Sequence, residues 1–167
     1  PKQAVLFAAF FNFAALWVFQ LKVAATIGKG TVDPGFVDYY VIFGALCGAL
    51  IWNIVTWYYG IPSSSSHALI GGLVGATLIK AGSLTPIVWS GFGKILAFIV
   101  ISPFVGFMVG GLLMVLVAWI FRHNTPGQVR RWFNYAQIFA SGAYSLAHGG
   151  NDAQKTIGII WLLLITA

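Results

Sequence analysis

From Leu84 to Phe121 the chain is apolar, with Lys94 as its one ionisable side chain. About 20 apolar residues cross the hydrocarbon core of a bilayer, so this run exceeds a single crossing and is too apolar to face water. It is not isolated. Val37–Tyr59 is a second apolar run and Gln3–Ile27 a third, the latter with Lys22 near its far end, where a long side chain can reach the interface. Only 7% of the residues are charged and 59% are hydrophobic, whereas soluble domains carry charge on roughly a quarter of their residues. The sequence therefore predicts an all-α polytopic membrane protein. Fourteen Phe, seven Trp and six Tyr suit packing against lipid and anchoring at headgroup level. The net charge of +6 comes from nine basic residues scattered along hydrophobic sequence, which argues against a nucleic-acid face. Cys47 is the only cysteine, so the chain has no internal disulfide and no cysteine-type metal site.

The long run divides into a short interfacial piece ending at Gly93 and a tilted span from Lys94 to Phe121, bent at Ser102-Pro103. Gly28–Gly35, with Asp33-Pro34, is a turn-rich loop. Val37–Tyr59 stops at Gly60-Ile61-Pro62, followed by four serines and His67. Ala68–Ile79 is apolar and glycine-rich but covers about half a span at ~1.5 Å per residue. Trp132–Ala147 and Thr156–Ala167 are short apolar pieces on either side of His148–Lys155. Arg122–Arg131 is the strongly polar loop; Arg122, His123, Arg130 and Arg131 place it on the cytoplasmic side, while Asp33 and Asp38 against Lys29 suit the opposite side. Gln3–Ile27 then runs outward. The stretch from Val37 to Ile79 leaves and returns to the outer side, either as two full spans or as a re-entrant hairpin with its serines at mid-depth. Gly44–Gly48, Gly71–Gly75 and Gly106–Gly110 have the small-residue spacing that lets helices approach closely in lipid. A start at Pro1 and an end inside an apolar run are expected of the central part of a longer chain.

Two polar interruptions carry the chemistry. Pro62-Ser63-Ser64-Ser65-Ser66-His67 reads as a helix start, because proline removes a backbone donor and serine caps. Such an end offers free N–H groups and partial positive charge, and with added hydroxyls it can receive an oxyanion. Asn53 and Thr56, three apart on the preceding helix, add polar groups on nearly one face. The bland reading of these residues is an ordinary cap.

The second interruption, His148–Lys155, has apolar sequence on both sides. An ionisable residue at membrane depth is costly and marks a functional position with a partner. Gly149 and Gly150 can break the helix, exposing carbonyls before the break and amides after it. Asp152 can hold a coupling cation or proton, with Asn151 and Gln154 as neutral ligands, and Lys155 can neutralise an anionic substrate. His67 and His148 can relay protons, since imidazole titrates near neutrality. The bland alternative is an Asp152–Lys155 pair at i,i+3 that only stabilises a buried turn. Two polar breaks in membrane sequence form the layout of a secondary transporter whose half-helix ends meet at mid-depth.

At these residues the sequence resembles the inorganic phosphate transporter family, and within it the bacterial low-affinity phosphate permeases. The resemblance is carried by Trp52–Tyr58 leading into Gly60–His67 and by Ser145–Lys155, with fainter support from Phe11-Asn12-Phe13 and Ser102-Pro103. It implies a fold of two inverted repeats, each with a re-entrant hairpin, moving phosphate by symport with H+ or Na+. Residues 1–121 would be the rest of the first repeat, 122–131 the cytoplasmic loop and 132–167 the start of the second. Thr56 and Ser63, Ser64, Ser65 and Ser66 resemble hairpin contacts near the phosphate, and Asn151, Asp152 and Lys155 match a signature for substrate and cation binding. The family has two such signatures, so a first copy before Pro1 and a second hairpin after Ala167 are expected. Gly150 stands where alanine is usual. A bacterial inner-membrane location, a homodimer, and phosphate carried as a neutral metal complex are further implications. The same hydroxyls and amides would suit sulfate, and polar residues can also line an anion channel. A serine hydrolase is disfavoured, because Ser66 and His67 are adjacent without a nucleophile-elbow pattern.

Overall fold

A computed structural model describes residues 2–18 and 30–166. The far end of the first predicted span, with Lys22, and the loop residues Gly28 and Lys29 lie outside the described residues. Among the described residues every regular element is helical: α1 (Lys2–Val18), a 3-10 turn (Pro34–Phe36), α2 (Tyr39–Tyr58), α3 (Ser65–Ala81), α4 (Trp89–Ile120) and α5 (Pro126–Thr166). The expected all-helical class holds, and α2 and α4 are long and apolar enough to cross a bilayer. The described residues divide into two compact units, one holding residues 30–93 and 151–166 and the other residues 2–18 with Lys94–Gly150.

In the unit holding residues 30–93, each helix end follows from its local sequence. Asp38 caps α2, its Oδ1 accepting the Val41 N–H at 2.9 Å. The C-terminus of α2 is a Schellman turn: the Gly60 N–H reaches the Trp57 carbonyl at 3.1 Å and the Ile61 N–H the Thr56 carbonyl at 2.8 Å. That turn requires the left-handed φ of +65° that Gly60 adopts. Pro62 follows and prevents the helix from continuing. Ser64 then caps α3, which ends at Gly82 in the left-handed region with its N–H on the Leu78 carbonyl at 2.9 Å.

α2 and α3 form an antiparallel hairpin. Its open end is tied by Lys80 Nζ to Asp38 Oδ2 at 2.7 Å. Along its length, Gly72 sits so close to α2 that a Cβ there would strike the Ala45 carbonyl oxygen, while a Cβ on Gly44 would lie 3.6 Å from that of Ala76. Close approach through Gly44 and Gly48 agrees with the sequence. In α3 the contact falls on Gly72, whereas Gly71 and Gly75 meet nothing within 4 Å, and neither do Gly106 and Gly110. Val32, Val41, Ile42, Ala45, Leu73, Val74 and Ile87 form a core together with Ile159 and Leu162 of α5. A single antiparallel bridge, Val32 to Ile87, joins the segments before α2 and before α4.

Two boundaries differ from expectation. α3 starts at Ser65 and has 17 residues, about 25 Å at ~1.5 Å per residue, because its serines are part of the helix and not merely its approach. α4 begins at Trp89 and runs through Gly93, Lys94 and Pro103 without interruption, so no separate interfacial piece ends at Gly93.

In the other unit α1 lies against α5. A Cβ on Gly142 would be 3.2 Å from the rings of Phe7 and Phe11, and one on Gly149 would be 2.5 Å from Asn12 Cα. The two glycines are two helical turns apart and share a face. This corrects the predicted break at Gly149-Gly150: α5 is one helix from Pro126 to Thr166. A glycine costs only about 1 kcal/mol relative to alanine inside a helix, which flanking helix readily tolerates. The missing Cβ of Gly149 instead makes room for the α1 backbone. No residue of α4 is buried.

Candidate functional site

The first polar segment is built on the start of α3. Ser64 Oγ accepts the His67 N–H at 3.3 Å. The N–H groups of Ser65 and Ser66 fall in the first turn, where no intrahelical carbonyl is in reach, and they carry the positive end of the helix dipole. Ser63, Ser64, Ser65 and His67 are exposed and Ser66 is half-buried. Thr56 is buried, and its Oγ1 donates to the Trp52 carbonyl at 2.9 Å and the Asn53 carbonyl at 3.1 Å. Its one hydroxyl proton is thus shared between two carbonyls of its own helix, leaving only lone pairs for anything else.

The second segment is a helix face. Lys155 and Asp152 are one turn apart on α5, and Lys155 Nζ donates to Asp152 Oδ1 at 2.9 Å. The same ammonium donates to Ser65 Oγ at 2.9 Å. Ser65 and Asp152, far apart in sequence and in the same compact unit, therefore meet on one nitrogen. The Lys155 side chain is 17% exposed and that of Asp152 46%, so the ammonium is the more enclosed partner. Gln154 is buried, one turn or two before the core residues Ile159 and Leu162, and Asn151 is exposed. His148 belongs to the other unit, where its ring stacks on Tyr144 at 5.9 Å and 11°.

Of the residues singled out in the sequence, the structure brings Ser65, Asp152 and Lys155 into one hydrogen-bonded group. Ser63, Ser64, Ser66 and His67 adjoin it through the chain. Chemically the group joins an ammonium, a hydroxyl and free helix amides, which suit an oxyanion, to a carboxylate, which suits a cation or proton.

A family model described as Phosphate transporter family matches residues 1–130 and 120–167. The chain belongs to that family. A probable low-affinity inorganic phosphate transporter of Rhizobium meliloti (strain 1021) is 55% identical over 166 residues, which cover 99% of this chain and 49% of the relative. One of the same name from Bacillus subtilis (strain 168) is 42% identical, covering 100% of this chain and 50% of the relative. The low-affinity inorganic phosphate transporter PitB of Escherichia coli (strain K12) is 30% identical over 99% of this chain and 39% of its own. The chain spans about half the length of the curated relatives it matches first. No solved structure matches it.

Two positions in the chain are not evident from the sequence. Gly142 pairs with Gly149 in seating α1, and only their spacing of two turns could have signalled it. The other is Asn12, within Phe11-Asn12-Phe13; its Oδ1 is buried without a hydrogen-bond partner and lies 2.8 Å from where a Cβ on Gly149 would be. A lone amide in an apolar helix is the available signal.

Proposed function

We propose that the intact protein carries inorganic phosphate across the membrane by symport with a cation, H+ or Na+. The observation that carries this reading is the placement of Lys155 between Asp152 and Ser65, at the start of α3. An anion arriving at the α3 amides and the hydroxyls of Ser63, Ser64, Ser65 and Ser66 would find an ammonium already in place. As Lys155 turned toward it, Asp152 would give up that ammonium and could take a cation or proton in exchange. Binding of the anion and charging of the carboxylate are thereby linked through one side chain. Asn151 and Gln154 would assist as neutral ligands, and His67 and His148 as proton relays. Thr56 would act from behind the serines, reaching an anion only by giving up its helix bonds.

The relatives named as phosphate transporters favour phosphate over sulfate. The same reading includes a multi-pass protein of the bacterial inner membrane with the Arg122–Arg131 loop cytoplasmic, and two inverted repeats with re-entrant hairpins divided as residues 1–121, 122–131 and 132–167. It also includes a homodimer and phosphate taken up as a metal complex.

The test is uptake of radiolabelled phosphate into proteoliposomes holding the intact transporter, under an imposed H+ or Na+ gradient. Saturable, gradient-driven uptake that unlabelled phosphate competes and sulfate does not is expected, with Asp152→Asn inserted normally but inactive or uncoupled. Passive currents without saturation, or sulfate uptake that phosphate fails to compete, would refute the proposal.

A further inference from the structure

We infer that Lys155 is a resident counter-cation that keeps Asp152 from serving as a sodium site, and so sets which ion this half of the site accepts. The inference deepens the symport reading and rests on it only for what the coupling ion does; the claim about ion binding can be tested without transport.

Three observations converge. First, the oxygens that Lys155 engages, a carboxylate Oδ1 and a hydroxyl Oγ, are the donor types that hard cations select. Its ammonium, 2.9 Å from each, occupies the position between them. A sodium ion entering there would face a like charge at short range, which disfavours it. Second, the ammonium is tethered. Lys155 follows Asp152 by one helical turn on the same face, so its effective concentration at the carboxylate is set by a short side chain and not by the surrounding solution. With 17% of the side chain exposed, it is also the more enclosed partner.

Third, the backbone offers no replacement ligands. Broken helices coordinate sodium through the carbonyls that unwinding frees. α5 runs unbroken from Pro126 to Thr166, and the carbonyls of its interior turns, including those around Gly149 and Asn151, face the N–H groups four residues on. The oxygens open to a cation here are therefore the side-chain ones that Lys155 already engages.

The experiment is thermal unfolding of the purified intact transporter in phosphate-free detergent solution, titrating NaCl against choline chloride at matched ionic strength. The quantity read is the sodium-induced rise in Tm that Asp152→Asn abolishes. Wild type and Lys155→Arg should show none. Lys155→Gln should show a saturable rise, half-complete at a NaCl concentration at least tenfold below the highest that leaves the wild type unmoved, and lost again in the double variant with Asp152→Asn. A saturable, Asp152-dependent rise in the wild type would overturn the inference, and that arm needs no variant at Lys155 to fold. So would a folded Lys155→Gln protein that gives no sodium response. Phosphate uptake measured on the same preparations reports on the transport reading separately.

Discussion

Gly72→Ala puts the packing of the α2–α3 hairpin to a quantitative test. The added methyl would fall onto the Ala45 carbonyl oxygen and 3.2 Å from the carbonyl carbon. Both are backbone atoms in the middle of α2, so neither can rotate away. Alanine gains about 1 kcal/mol over glycine in helix propensity. Overpacking a close contact costs about 1–3 kcal/mol, and a clash with rigid backbone belongs at the upper end of that range. The net expectation is a loss of about 2 kcal/mol, roughly a 30-fold fall in the folded-to-unfolded ratio. In a thermal unfolding assay of the intact transporter in lipid nanodiscs, with a chain about twice this length as in the relatives, this corresponds to a Tm lower by about 3 °C. Phosphate uptake should fall with it, since parting α3 from α2 displaces Ser65 from Lys155. Gly71→Ala is the control, because Gly71 is exposed and meets nothing within 4 Å; it should match or exceed the wild-type Tm. A Gly72→Ala protein as stable as the wild type, or equal losses in both variants, would refute the reasoning from the Ala45 carbonyl.

Two serine substitutions separate capping from binding. Ser64→Ala removes the N-cap of α3 and should cost about 1 kcal/mol of stability as well as uptake. Ser65→Ala removes the Lys155 partner without touching the cap, so uptake should weaken while the Tm stays within about 0.5 °C of wild type; parallel losses in both would reduce the serines to capping. At the other end of the hairpin, the hydrogen bond from Lys80, followed by the Val41 N–H, holds the Asp38 carboxyl below its ordinary range. A folded-state pKa lower than the unfolded one gives stability that is complete above the ordinary carboxylate pKa and is lost as pH falls through the folded value. Asp38→Asn keeps a capping oxygen but should remove that acid-side loss, seen as a flatter Tm profile below about pH 4. An unchanged acid limb would show that the pair does not stabilise the hairpin.

Much of the hairpin was legible because its ends are written in local chemistry. Gly60, Pro62, Ser64 and Gly82 each act on backbone groups within four residues, so a short window suffices to read them. The Asp152–Lys155 pair was visible for the same reason, being one turn apart. What could not be read depends on a partner elsewhere in the chain. A glycine pair is compatible with a break or with a close approach, and only the backbone of Asn12 against Gly149 decides for the second. Likewise Ser65 and Lys155 each announce polarity in apolar sequence, but nothing local says that one donates to the other. Thr56 is a different case: its side chain reads as a ligand in the sequence, and in the structure the carbonyls of its own preceding turn take the proton.

The glycine-to-carbonyl approach between α2 and α3 also bears on how the protein enters the membrane. α2 is apolar enough to partition into lipid by itself. α3 has 17 residues and opens with Ser65, Ser66 and His67, so alone it would gain less from leaving water and would carry polar groups with it. α2 emerges from the ribosome first and presents Gly44, Ala45 and Gly48 as a groove into which α3 can fold. Delivery of α3 to its final depth is then a docking event on a helix already inserted.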